Sequence, residues 1–176
     1  METKQLFQCR KSVRSYTGTL SEEALHQVLD AAQLSPVGMG KFESLHLTVI
    51  QCRNLLDELD KNAGLAFGDA SRHVLYGAPC LILVSTPIGD PNMANVSYSN
   101  AAIMADNMSL AAIDLGLGSC LIWGAIRALN ANPDLVAKLG LPAGFVPCCG
   151  VVIGDTAETF EAKPVPTDRI AVDYIK

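Results

Sequence analysis

Arg10, Lys11 and Arg14 place three cations within five residues, with the hydroxyl of Ser12 between them. Such a set can meet a phosphate, because arginine presents a planar fork of donors, lysine a point charge and serine a short neutral donor. A solvated basic face is the other reading, since most charge runs are that, and the spacing alone does not choose. The contrast with the rest of the chain is strong. In the first fourteen residues Lys4, Arg10, Lys11 and Arg14 face only Glu2, whereas the whole chain has a net charge of −5. That acidic balance argues against a nucleic-acid partner.

Two glycine-bearing segments are the next candidates. In Ser35-Pro36-Val37-Gly38-Met39-Gly40-Lys41 the proline restricts one dihedral and the glycines allow backbone to approach a flat ligand. An ordinary helix-to-strand connection would carry the same residues. Gly116-Leu117-Gly118-Ser119-Cys120-Leu121-Ile122-Trp123-Gly124 suggests a dinucleotide-binding G-x-G-x-x-G, but its third glycine position is Leu121 and it follows a helix, so that motif fails. An extended segment with accessible amides beside a ligand, or plain structure, remains.

Metal and acid–base chemistry find little support. The six cysteines (Cys9, Cys52, Cys80, Cys120, Cys148, Cys149) form no C-x-x-C pair, and His26, His46 and His73 lack ligand spacing. Four of the cysteines lie in apolar runs, which points to reduced, mostly buried thiols. His46 alternates within an apolar strand and reads as structural. No His/Asp/Cys set stands out as a catalytic constellation.

These residues need a scaffold. Residues 3–11 read as a short helix ending at the basic cluster. Ser21 caps a second helix through Ala32, with Leu20 and Leu25 as a staple and Glu22 and Glu23 in its first turn. Pro36 and Gly38 end it. Residues 45–51 read as a strand, 54–61 as a short helix, and 62–73 as loop or irregular helix. The apolar run Cys80–Ser85, bounded by prolines, predicts a buried strand. A turn over 89–95 leads into a long helix from Ser97 or Ser99 to about Leu115, apolar nearly all round and therefore buried on most faces. Residues 121–123 are strand-like, Asp134 begins a small helix ending at Gly140, and 148–153 and 170–175 read as strands. The alternation predicts one domain over residues 1–176, a layered fold of mixed α/β or α+β class.

Hydrophobic residues make up 49% of the 176, and charged residues 18%. So apolar a composition fits either surface hidden in an oligomer or a generous interior, and it favours the oligomer. The weakly polar stretch Ser99–Ile122 is interrupted by Asn100, Asp106, Asn107 and Asp114, which excludes a membrane span. The polar start (Glu2, Lys4, Gln5) is not a signal region, so a cytoplasmic protein is expected.

The order of the pieces resembles the nitroreductase family of FMN-dependent oxidoreductases. The resemblance rests on RKSVRSY (10–16), AAQLSPVGMG (31–40), YGAPCLILV (76–84), the helix from Asn100 into LIWG (121–124), LGLPAGFVPCCGVVIGD (139–155) and KPVPTDRI (163–170). It implies a three-layer α-β-α sandwich with a mainly antiparallel sheet, an intertwined homodimer with FMN at the interface, and NADH or NADPH as electron donor to a small acceptor such as a nitroaromatic or quinone. Carried over, Arg10, Lys11, Ser12 and Arg14 would hold the phosphate, the ribityl chain and the N1–O2 side of the ring. Pro36, Val37 and Gly38 would come from the other subunit. Ile122, Trp123 and Gly124 would face flavin N5, and Lys163 would meet the phosphate.

Two positions depart from the pattern. Gly40 stands where asparagine is usual, and Val165 where a second basic residue is usual, which implies a phosphate held by fewer charges. Those departures favour a flavin-binding or sensor protein without turnover as an alternative. A relative fed by ferredoxin or flavodoxin, or one specialised for halogenated aromatics or free flavin, is also consistent with the sequence. The latter would need lid residues, for which the chain length leaves little room.

Overall fold

The apolar run at residues 80–85 becomes the second position of a four-stranded sheet. In the computed structural model, which describes residues 1–89 and 91–176, the strands are β1 (His46–Ile50), β2 (Cys80–Pro87), β3 (Gly118–Ile122) and β4 (Phe145–Gly154). Their order is β1-β2-β4-β3, with every neighbouring pair antiparallel. Successive side chains of a strand point to opposite faces, so β2 divides its residues between two cores. Cys80, Ile82 and Val84 face one, and Leu81 and Leu83 the other.

Among the described residues six helices fill out the layers: α1 (Thr3–Cys9), α2 (Glu22–Gln33), α3 (Arg53–Ala66), α4 (Ala94–Asp114), α5 (Gly124–Asn130) and α6 (Pro133–Ala137). Val28 and Ala32 of α2, and Met104 and Met108 of α4, pack with Ile82, Val151 and Ile153. On the opposite face Leu56 and Leu59 of α3, Ile126 and Leu129 of α5 and Leu135 of α6 pack with Leu81, Leu83 and Val152. The result is the expected α-β-α sandwich. Among the described residues no helix is long and apolar enough to cross a membrane.

Local signals account for most boundaries. Ser21 caps α2 by accepting the Ala24 N–H at 3.2 Å, and Glu22 and Glu23 sit in the positive first turn. The long helix α4 starts at Ala94, earlier than Ser97, and buries Asn100, Ala101, Met104, Ala105, Met108 and Ser109. The Ser109 and Ser119 hydroxyls lie 2.8 Å apart, satisfying both where α4 meets β3. The turn expected over 89–95 includes residue 90, which lies outside the described residues; Pro91–Met93 forms a short 3-10 turn.

Several expectations are corrected. The first helix ends at Cys9, with Arg10 already non-helical, so the basic cluster lies outside it. Helix α3 continues to Ala66, beyond the expected 61. The small helix is capped by Asn132, whose side chain accepts the Leu135 N–H, because Pro133 is suited to the first helical position; Asp134 sits inside the first turn, and the helix stops at Ala137. Helix α5 has no distinct sequence signal, and Trp123 precedes it instead of ending β3. Residues 170–175 form no strand: Ile170, Val172, Tyr174 and Ile175 are exposed and unpaired with this sheet. Alternating apolar residues provide a strand's faces, but a strand also requires a neighbouring edge to complete its ladder.

Candidate functional site

The basic segment is anchored by what lies beneath it. Cys9 and Val13 are buried, and the Val13 N–H donates to the Ser119 carbonyl of β3 at 2.8 Å. The Tyr16 hydroxyl donates toward the carbonyls of Val13 (3.1 Å) and Val152 (3.4 Å), and burial pushes its pKa upward. Beyond β4, Thr17 N–H donates to the Asp155 carbonyl at 2.9 Å and Thr156 Oγ1 to the Ser15 carbonyl at 2.8 Å. With Val13 and Tyr16 fastened inward, alternate residues Ser12 and Arg14 are directed outward.

The tail closes the other side. Lys163 N–H donates to the Gln8 carbonyl at 3.1 Å, and Gln8 Nε2 donates to the Lys163 carbonyl at 3.0 Å. This reciprocal pair straps residues 163–169 across the end of α1. Between the two lies a cavity of about 660 Å³ lined by Arg10, Lys11, Ser12, Arg14, Lys163 and Arg169, with no carboxylate in its lining. Four cations expected from the sequence are therefore joined by a fifth, Arg169. The KPVPTDRI segment contained that signal, but an arginine four residues beyond Val165 had no assigned direction. Its presence offsets the missing charge at Val165, which lines the same cavity.

One carboxylate is close behind the cluster. Lys11 Nζ pairs with Glu158 Oε2 at 2.7 Å and also lies 5.6 Å over the Phe160 ring. Lys11 holds the Glu158 carboxyl below its ordinary pKa. Arg14 lies 5.7 Å over the ring of Tyr76, whose side chain is the leading cause of a raised Arg14 pKa. Arg14 also lines a second cavity, with Arg53, Asp60, His73 and Tyr76, and Tyr76 in turn lines a third, with Ile122, Trp123 and Gly124. Arg14 and Tyr76 thus connect the basic cavity to the segment before α5.

Tyr76 is itself built in place. Its φ of 57° lies in the left-handed region, unusual for a non-glycine residue. Just upstream the buried Asp60 carboxylate accepts the N–H groups of Val74 (2.7 Å) and Leu75 (2.8 Å), and its other oxygen lies 2.7 Å from His73 Nδ1. In the sequence Tyr76, like Asp69 and Arg72, precedes a buried strand and is within reach of a ligand, but nothing there commits it to the site, and Asp60 carries no signal at all. A lone aspartate inside a helix gives no hint of the backbone it will bind.

Pro36, Val37 and Gly38 do not join this group within one chain. The loop is tied to α4 by the Gly38 N–H donating to Asn100 Oδ1 at 3.0 Å, and Gly38 lines a separate cavity of about 370 Å³ with Met93, Val96 and Asn100. Gly40 has a φ of 65°, and nothing lies within 4 Å of a Cβ built there. Glycine and asparagine are the residues that best tolerate that conformation, so the departure at position 40 preserves the backbone. His46 lies edge-on to Phe145 at 6.1 Å, the structural role expected. All six cysteines are free, and among the described residues no cluster of three metal-ligating side chains occurs.

Comparison with known proteins agrees with the fold. The model of the Nitroreductase family matches residues 8–155. A nitroreductase with bound FMN from Bacteroides fragilis NCTC 9343 superposes with a TM-score of 0.83 at 24% identity, covering 99% of this chain and 100% of that one. A nitroreductase with bound FMN from Desulfitobacterium hafniense DCB-2 gives 0.80 at 22% identity, covering 99% and 100%. Among curated proteins, the FMN reductase (NADPH) of Bacillus subtilis (strain 168) is 33% identical over 81 residues, 46% of this chain but only 31% of that protein.

Proposed function

Because the chain belongs to the nitroreductase family, we propose that it is an FMN-dependent oxidoreductase that takes hydride from NADH or NADPH and passes it to a small acceptor such as a nitroaromatic or a quinone. The basic cavity carries this reading: five cations and a hydroxyl converge on a space whose lining holds no acid. That donor set suits a phosphomonoester. The FMN bound by the Bacteroides and Desulfitobacterium proteins, and the activity in the Bacillus protein's name, support the same assignment.

When bound, FMN supplies the hydride-accepting and hydride-donating chemistry, leaving the protein to orient it and tune its surroundings. Arg10, Lys11, Ser12, Lys163 and Arg169 would hold the phosphate and ribityl end. Arg14, between that end and Tyr76, would favour the anionic reduced form by its charge. Ile122, Trp123 and Gly124 would border the ring where hydride is exchanged. The whole of residues 1–176 serves as one flavin-binding domain.

The same reading makes the protein a homodimer. Pro36, Val37 and Gly38 of the partner subunit would complete the ring site, since in their own chain none of them lines the basic cavity and Gly38 lines a different one. The exposed Ile170, Val172, Tyr174 and Ile175 present the kind of alternating apolar segment that a second copy can pair with and bury.

A visible absorption spectrum with an FMN titration tests the cofactor, and NADH or NADPH oxidation with nitrofurazone or a quinone tests the reaction. The reading expects a yellow protein whose flavin is bleached by reduced nicotinamide. A colourless protein that takes up no FMN would overturn it. Bound flavin that nicotinamide never reduces would instead indicate a binding protein or a ferredoxin- or flavodoxin-fed enzyme.

A further inference from the structure

The loop after α3 is wound tightly on itself. Phe67 N–H donates to the carbonyls of Ala63 (3.1 Å) and Gly64 (3.0 Å), Asp69 N–H to the Gly64 carbonyl (3.0 Å), and Arg72 N–H to the Asp69 carbonyl (3.1 Å). A Cβ on Gly64 would stand 2.8 Å from the carbonyl oxygens of both Asp69 and Arg72, so glycine permits the winding. The Asp69 carboxylate is engaged within the loop, accepting the Ser71 N–H at 2.9 Å and the Ser71 hydroxyl at 2.6 Å. Phe67 and Arg72 are thus presented from a pre-organised support.

What they face is the segment before α5. The Phe67 ring lies so close to Gly124 that a Cβ there would be 2.5 Å away. The Arg72 guanidinium lies 4.8 Å over the same ring. Together with Tyr76 and Trp123 they line a cleft of about 200 Å³ in which Arg72 is the one charged residue. Among the described residues Arg72 forms no ion pair with a carboxylate. Trp123 is 51% exposed, although an indole of that size is usually well covered. A stacked arginine keeps the edges of its fork free to bind, and exposed aromatic faces accept another planar ring.

We infer that this cleft is the acceptor subsite and that it selects planar aromatic anions, with aromatic carboxylates as the class it takes. The aromatic side chains cover the ring of the ligand, and Arg72 pairs with its carboxylate. This rests on the flavin assignment above, which places the reactive edge of the ring along Ile122, Trp123 and Gly124, and it names the substrate class for that site.

Trp123 is the only tryptophan of the chain, so its fluorescence reports on this cleft directly. The test titrates the purified full-length protein, its flavin content first measured by absorbance, with 4-nitrobenzoate and with the neutral 4-nitrobenzamide. Saturable quenching is expected with both, with nitrobenzoate bound roughly tenfold more tightly, the scale of one charge-assisted contact at an accessible site. Arg72→Gln is expected to erase that preference, and Arg72→Lys to keep only part of it, since it retains charge without the fork. Equal affinity for acid and amide in the wild type, no saturable quenching, or a preference that survives Arg72→Gln would each overturn the inference. A preference seen in a protein that takes up no FMN would uphold the anion selectivity of the cleft while defeating the flavin reading and with it the acceptor role, and bound flavin without the preference would defeat this inference alone.

Discussion

Removing Arg10 and Arg14 tests the basic cavity most directly. Both side chains are exposed at the surface, and both line the space that Lys11, Lys163 and Arg169 also reach. A hydrogen bond to a charged group is worth about 1.5–3 kcal/mol, and exposure pulls the value to the lower end. Near 1.5 kcal/mol, each alanine substitution weakens FMN binding about tenfold, and the pair about a hundredfold. Lys11 compensates little, because its charge is already paired with Glu158 at 2.7 Å. The two sites share a cavity, so modest departure from additivity is expected. The assay is a titration of FMN followed by quenching of its fluorescence, for wild type, both single variants and the double variant, at low and raised salt. Loss of two cations that line the cavity also flattens the salt dependence, since fewer screened contacts remain. Wild-type affinity in the double variant, with an unaltered salt response, would refute the cavity as the phosphate site and leave the cluster a solvated face.

Asp60→Ala should lower stability by about 2–5 kcal/mol, because two buried N–H groups lose their acceptor; Asp60→Asn, which keeps an oxygen there, should lower it far less, as read by chemical denaturation. Gly154→Ala should destabilise by about 1–3 kcal/mol through overpacking, since its Cβ would meet the Pro79 ring at 2.4 Å, whereas Gly124→Ala should cost less because the Phe67 ring can swing away. Burial pushes the Cys80 and Cys149 thiols to about 12 and the half-covered Cys148 to about 11, so at pH 8 a thiol reagent should modify the exposed Cys52 first and the others only on unfolding. The Glu158 carboxyl is depressed in the folded chain, chiefly by Lys11. Its contribution to stability is therefore present above the ordinary glutamate pKa and lost as pH falls through the lower folded value; Glu158→Gln should reduce the acid-side slope of stability against pH, and an unchanged slope would show that the pair contributes nothing.

Much of this protein was legible in one dimension. The proline-bounded run 80–85 announced a buried strand, the Ser21 cap and staple announced α2, and the cations at 10, 11 and 14 announced a basic cluster, because burial, capping and charge density are properties of neighbouring residues. Tertiary structure decided which distant groups meet. Only the fold carries Arg169 to the cluster at residue 10, through the strap between Gln8 and Lys163. It also decided that Asp60 holds the backbone leading to Tyr76, and that Trp123 stands exposed beside Phe67 and Arg72. The apolar alternation of 170–175 has a strand's pattern without a strand's partner, since hydrogen-bonded pairing depends on an edge elsewhere in space. Sequence alone thus determined the local elements and the basic character of the site; convergence of the site depended on contacts across more than a hundred residues, which no local pattern encodes.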